Sequence, residues 1–222
     1  MTSLSPAEAH ALARIDGLRP ALLAEIEAWA AINTGSRNLA GLAQMIDVME
    51  AAFGPLGGSA TRVGAAPASQ IDAAGTERAL LHGDNLHIVK RPDAPVRVLL
   101  TGHMDTVFPA DHGFQACRWL DADTLNGPGV ADMKGGIAVM LHALIAFEQT
   151  ASASALGYDV LINSDEETGS LASAALIAEL AAGKLAALTY EPAALPDGTL
   201  AHKQRYFHLH SRDEDDESFA DG

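Results

Sequence analysis

The sequence predicts an α/β domain, a mostly parallel sheet flanked by helices, and three observations carry that prediction. Residues 96–102, 160–163 and 186–190 are short apolar runs, as strands buried on both faces should be. Residues 132–147 and 170–180, which lie between them, read as helices, the second rich in Ala. Strands that alternate with helices pair in parallel, because a parallel return needs a crossover of a dozen or more residues.

The other elements follow along the chain. Ser5-Pro6 marks a helix start, since the fixed φ of proline suits the first helical turn. Apolar residues then recur at helical spacing through Leu12, Ile15, Leu22, Leu23, Ile26 and Trp29, with Pro20 as the point of kinking or division. Residues 39–53 form a second amphipathic helix on Leu39, Leu42, Ile46, Met49 and Phe53, closed by Gly54-Pro55. Residues 57–75 are small and loop-prone. Residues 79–81 and 86–89 read as two strands joined through Gly83-Asp84-Asn85 into a hairpin. Residues 205–210 read as a last strand, and the acidic run after it is expected to be solvated, since its like charges repel one another. No internal repeat is present.

Composition narrows the function. The 222 residues carry 29 acidic and 14 basic side chains, a formal net charge of −15. That balance argues against nucleic acid or an anionic membrane as partner, since both need clustered Lys and Arg. At 48% hydrophobic and 19% charged the chain reads as globular. The single cysteine, Cys117, excludes an intramolecular disulfide framework and a Cys-based zinc cluster, and reads as a buried small side chain. The first residues lack the basic start and apolar run of a secretory signal, so the expected location is cytoplasmic. No uncharged apolar run reaches the ~20 residues that span a bilayer.

The chemistry gathers where strands end. In open α/β sheets ligands bind at the carboxyl ends of the strands. Three of the apolar runs lead into Gly102-His103-Met104-Asp105-Thr106-Val107, Ser164-Asp165-Glu166-Glu167-Thr168-Gly169 and Glu191-Pro192. Asp132, within Gly127-Pro128-Gly129-Val130-Ala131-Asp132-Met133-Lys134-Gly135-Gly136, is expected to start a helix. One imidazole and several carboxylates therefore converge on one edge, a donor set that suits zinc. If the strand continues past His103, Asp105 lies on the same face and accepts its second ring N–H, fixing the tautomer. The adjacent side chains of Glu166 and Glu167 diverge, so one can hold metal while its neighbour acts as general base. Each of these acids alone is more often a solvated turn or a helix-terminal charge; their joint placement after strands changes that reading.

Other motifs fail. Gly127-Pro128-Gly129-Val130-Ala131-Asp132 lacks the final glycine of a dinucleotide fingerprint, and no Walker loop, Gly-x-Ser-x-Gly elbow or His-Glu-x-x-His is present. His202, His208 and His210 alternate near the C-terminus and read as incidental.

These motifs resemble those of the co-catalytic zinc peptidases and amidohydrolases related to glutamate carboxypeptidase. That family also holds acetylornithine deacetylase, succinyl-diaminopimelate desuccinylase and aminoacylase. The resemblance runs from about Trp29 to Leu200 through three ordered motifs, 101–109, 127–136 and 163–170. It implies that His103 binds one zinc, that Asp132 bridges two, and that Glu167 binds the other. Glu166 is then the general base, Asp105 orients His103, and Glu191 is a variable Asp/Glu ligand. A Glu at that position favours the carboxypeptidase branch. The implied reaction is hydrolysis of an amide next to a free carboxylate, on a small peptide or N-acyl amino acid. Cobalt is a possible substitute for zinc. A cis peptide is implied at Asp132-Met133, and a homodimer for a complete family member.

Members of that family continue through a lid or dimerisation domain and return to the catalytic domain, where a final histidine ligand lies. Residues 1–200 are accordingly expected to be the N-terminal part of a zinc-peptidase catalytic domain, incomplete at its C-terminal side. Residues 201–222 would be the start of the lid or an aberrant acidic tail. Two rival readings stay open: an N-acyl amino acid deacylase on the same scaffold, and an inactive fragment that only binds metal.

Overall fold

The structure, a computed structural model, describes residues 5–190 and 206–208. Its first two helices are α1 (Pro6–Asp16) and α2 (Arg19–Ala30). The division falls at Gly17-Leu18, and Pro20 sits in the first turn of α2, where a missing N–H costs nothing. Helix α3 (Leu39–Phe53) begins where Asn38 accepts the Gly41 N–H at 3.2 Å. It buries Leu42, Met45, Ile46, Met49 and Phe53 along one stripe.

The strands are β1 (Ser59–Val63), β2 (Ala68–Ile71), β3 (Glu77–Leu80), β4 (Asn85–Lys90), β5 (Val96–His103), β6 (Arg118–Trp119), β7 (Leu125–Asn126), β8 (Leu156–Asn163), β9 (Ala186–Thr189) and β10 (Tyr206–His208). Helix α4 (Gly135–Phe147) connects β5 to β8, and α5 (Ala174–Ala181) connects β8 to β9. The main sheet runs β1-β4-β8-β5-β9-β10.

The α/β class stands, and the sheet is mixed, with parallel pairing confined to β8-β5-β9. Strand β4 is antiparallel to β8, and the link from β4 to β5 is too short for a crossover, so the chain can only reverse there. The expected hairpin between 79–81 and 86–89 does not form. β3 pairs instead with β2 in a separate ribbon, while β4 pairs with β1 and β8. Leu86 and Ile88 are buried in the sheet, and that burial overrides the local turn signal. The loop-prone stretch 57–75 contains β1 and β2. Helix α4 starts three residues after Asp132, and α5 starts four residues later than its expected beginning.

One face of the sheet presents Leu86 and Ile88, Tyr158, Val160 and Ile162, and Val98 and Leu100 to α2, α3 and α4. They pack on Ile26, Trp29, Leu42, Met45, Met49, Ile137 and Leu141. Val130–Phe147 is long and apolar enough by composition to cross a membrane, yet half of it is buried within the fold, as suits a core helix. The opposite face carries a buried ionic cluster in which Asp159 meets Arg97 at 2.6 Å, Lys184 at 3.0 Å and His87 at 2.9 Å. Cys117 is half-buried rather than fully buried, because it lies in the irregular segment before β6.

Candidate metal centre

Parallel pairing brings the chemistry to one edge. β5 ends at His103 and β8 at Asn163, and these two residues are register partners. Whatever follows each strand therefore emerges side by side.

His103 is 1% exposed and held from both ring nitrogens. Its Nδ1 lies 3.1 Å from the backbone carbonyl of Asp105 and 3.3 Å from Asp105 Oδ1. Its Nε2 lies 2.8 Å from Asp132 Oδ1 and 3.7 Å from Glu166 Oε2. The strand stops at His103, so Asp105 meets the ring by turning back rather than by strand periodicity, and its carbonyl is the nearer acceptor. With Nδ1–H donated to that carbonyl, Nε2 and Asp132 Oδ1 both aim lone pairs into one space. A proton or a cation must sit between them.

The fully buried Asp105 carboxylate has a second task. Oδ2 accepts Ser36 Oγ–H at 2.7 Å and the Glu167 N–H at 3.3 Å, while Oδ1 accepts the Glu166 N–H at 3.2 Å. Asp165, also buried, shapes the following turn: its Oδ2 accepts the Ala172 N–H at 2.6 Å and its carbonyl the Ser170 N–H at 2.9 Å. Asn163 Nδ2 donates to Ser173 Oγ at 3.0 Å. Ser36, Asn163 and Asp165 were not among the candidates the sequence singled out for a role. Ser36 carries no motif signal, while the other two lie inside the 163–170 motif.

Asp132 comes from a wide turn, Val130–Lys134, in which Asp132 and Met133 leave helical geometry and their peptide bond is cis. Gly129 opens the turn at φ +70°, a conformation that favours glycine. Lys134 closes it by donating Nζ–H to the carbonyls of Trp29 at 3.1 Å and Ile32 at 2.9 Å, and burial pushes its pKa down to about 8. Met133 is buried and Asp132 faces solvent. Gly136 allows the carbonyl of Tyr190 to approach, since a Cβ there would sit 2.0 Å from that oxygen.

His103, Asp132 and Glu167 offer ligand atoms that all lie within 4.8 Å of one another, a group able to hold a metal ion. Burial, and then the charge of Asp132, push the Glu167 carboxyl up to about 7, with Asp105 and Glu166 adding and His103 opposing. A cation relieves that repulsion, so this donor set fits a divalent metal with nitrogen and oxygen ligands. Glu166 flanks the group. Glu191, the acidic tail and the C-terminal histidine side chains lie outside the described residues. A cleft of about 560 Å³ opens beside Glu167 and runs past Ser36, Arg37 and Thr106 to Val107 and Pro109.

Residues 99–217 match the family model described as Peptidase family M20/M25/M40. The chain belongs to this family. It is 34% identical over 185 residues to carboxypeptidase G2 of Pseudomonas sp. (strain RS-16), covering 82% of this chain and 41% of that protein. The chain thus spans about two fifths of the length of that curated relative. In fold it is similar to human carnosine dipeptidase 1, with a TM-score of 0.63 and 22% identity over 78% of this chain and 38% of that one. It is also similar to the M20 family metallo-carboxypeptidase Sso-CP2 of Sulfolobus solfataricus, with a TM-score of 0.58 and 17% identity over 80% and 38% of the two chains. M20 membership implies metal ions, and among the described residues the His103–Asp132–Glu167 group is able to hold one.

Proposed function

We propose that this protein hydrolyses an amide bond next to a free carboxylate, as a glutamate carboxypeptidase-like enzyme acting on small peptides or N-acyl amino acids, with two zinc ions. The observation that carries this reading is the convergence of His103, Asp132 and Glu167 within 4.8 Å, with Glu166 beside them. The kinship to carboxypeptidase G2 supports the substrate class.

His103 Nε2 and the carboxylates of Asp132, Glu167 and Glu191 would hold the zinc. Bound zinc supplies Lewis acidity, which polarises a carbonyl and brings the pKa of water toward neutrality. Asp105 keeps the His103 ring in the tautomer that presents Nε2, and holds the backbone from which Glu166 and Glu167 project. Glu166, whose side chain is about half exposed (49%), is the general base. It takes a proton from water as the water oxygen bonds to the amide carbon, and returns that proton to the nitrogen when the C–N bond breaks.

The test is hydrolysis by the purified, zinc-loaded chain of acylglutamates, dipeptides and N-acetyl amino acids. Release of the C-terminal amino acid, lost with a chelator and restored by zinc, supports the proposal. Turnover of N-acetyl amino acids alone replaces it with the deacylase reading, and no turnover of any substrate by zinc-bound protein replaces it with the inactive metal-binding fragment.

A further inference from the structure

The cleft beside Glu167 contains a basic side chain that the hydrolytic chemistry does not use. Arg37 lines it together with Ser36 and Thr106, and Val107 and Pro109 give it an apolar wall. Arg19, Arg62, Arg78, Arg91 and Arg97 each meet a carboxylate. Arg37 is exposed and meets none among the described residues, in a chain of net charge −15. Its Nη1 is instead anchored by two neutral groups, donating to the Leu81 carbonyl at 3.2 Å and to His82 Nε2 at 2.9 Å. A guanidinium only donates, so His82 Nε2 accepts and the ring proton resides on Nδ1. The guanidinium is therefore held in place with no counter-charge paired to it among the described residues, and it lines the cleft. At about 560 Å³ the cleft matches the usual size of a small-ligand site.

We propose that Arg37, positioned by His82 and the Leu81 carbonyl, is a specificity-determining residue that binds a side-chain carboxylate of the substrate while the scissile amide lies at the His103–Asp132–Glu167 group. A planar fork of N–H donors suits a carboxylate, and among the described residues no acid forms an ion pair with this guanidinium to compete for it. The inference rests on the hydrolase reading for its choice of peptide substrates.

The carboxylate could stand on either side of the scissile bond, so four dipeptides are compared: Glu-Ala with Gln-Ala, and Ala-Glu with Ala-Gln. Each is measured by equilibrium binding to the zinc-loaded full chain, and by kcat/KM where turnover occurs. The readout is the Glu-to-Gln ratio within each pair, which a general loss of activity or folded fraction leaves unaltered. The ratio is expected to exceed unity for one pair, to fall about tenfold in Arg37→Ala, and to be partly retained in Arg37→Lys. His82→Ala is expected to lower the same ratio less. A wild-type ratio near one in both pairs, or a ratio unchanged in Arg37→Ala, overturns the proposal. Arg37-dependent preference in binding without hydrolysis of any peptide keeps this inference and removes the hydrolase reading.

Discussion

Asp105 Oδ2 accepts the backbone N–H of Glu167 at 3.3 Å, and the same carboxylate lies 3.3 Å from the His103 ring. One buried acid thus ties the residue at the end of β5 to the two glutamates after β8. The His103 ring and the Glu166-Glu167 turn share a single reference point, and Ser36 holds that point from the other side.

Asp105→Asn tests this arrangement. The amide keeps the shape but turns an NH2 group toward donors that need an acceptor. Zinc affinity should fall about 10- to 100-fold while far-ultraviolet circular dichroism is retained. Unaltered affinity would reduce Asp105 to a packing residue.

The adjacent glutamates should separate cleanly. Glu166→Gln should lower kcat by about 10²- to 10⁴-fold with zinc content preserved. Glu167→Gln should lower zinc content itself, as read by elemental analysis after gel filtration. The opposite pattern would exchange their roles.

Stability toward acid should trace to Asp159. Burial alone would raise its pKa, but hydrogen bonds from His87 and Lys184 and the charges of Lys184 and Arg97 outweigh that and hold it below the ordinary carboxylate value. A depressed folded pKa stabilises the protein above the unfolded value of about 3.9, and that contribution is lost as pH falls through the folded value. Asp159→Asn should cost about 3–5 kcal/mol at neutral pH, because Arg97 and Lys184 lose their counter-charge. The same variant should flatten the fall in urea midpoint below about pH 4.

Gly136→Ala should destabilise the chain by about 1–3 kcal/mol, since the new Cβ cannot share space with the Tyr190 carbonyl. Thermal denaturation reads the loss. An unchanged midpoint would mean that the end of β9 does not pass against α4.

The convergence of His103 with the Glu166-Glu167 turn was legible in the sequence because sheet topology fixes where strand ends go. His103 ends one apolar run and the Glu166-Glu167 pair follows another, and the parallel register of β5 and β8, with His103 opposite Asn163, brings them together. Edge strands were harder. β1 is exposed along almost its whole length, so it shows none of the alternation that marks a half-buried strand. Gly83 resembled a turn residue, but a Cβ there would lie 3.0 Å from Leu42 Cβ, so glycine serves close packing on α3. Ser36 stands 69 residues from the carboxylate it binds, a separation that no local pattern encodes.

The most direct test is zinc binding by isothermal titration on the wild-type chain and on His103→Ala, with the coordination shell read by X-ray absorption. The expectation is saturable binding through one imidazole nitrogen and carboxylate oxygens, with the nitrogen contribution and most of the affinity lost in the variant. Wild-type protein that takes up no zinc, or a variant whose affinity and coordination match the wild type, would contradict it.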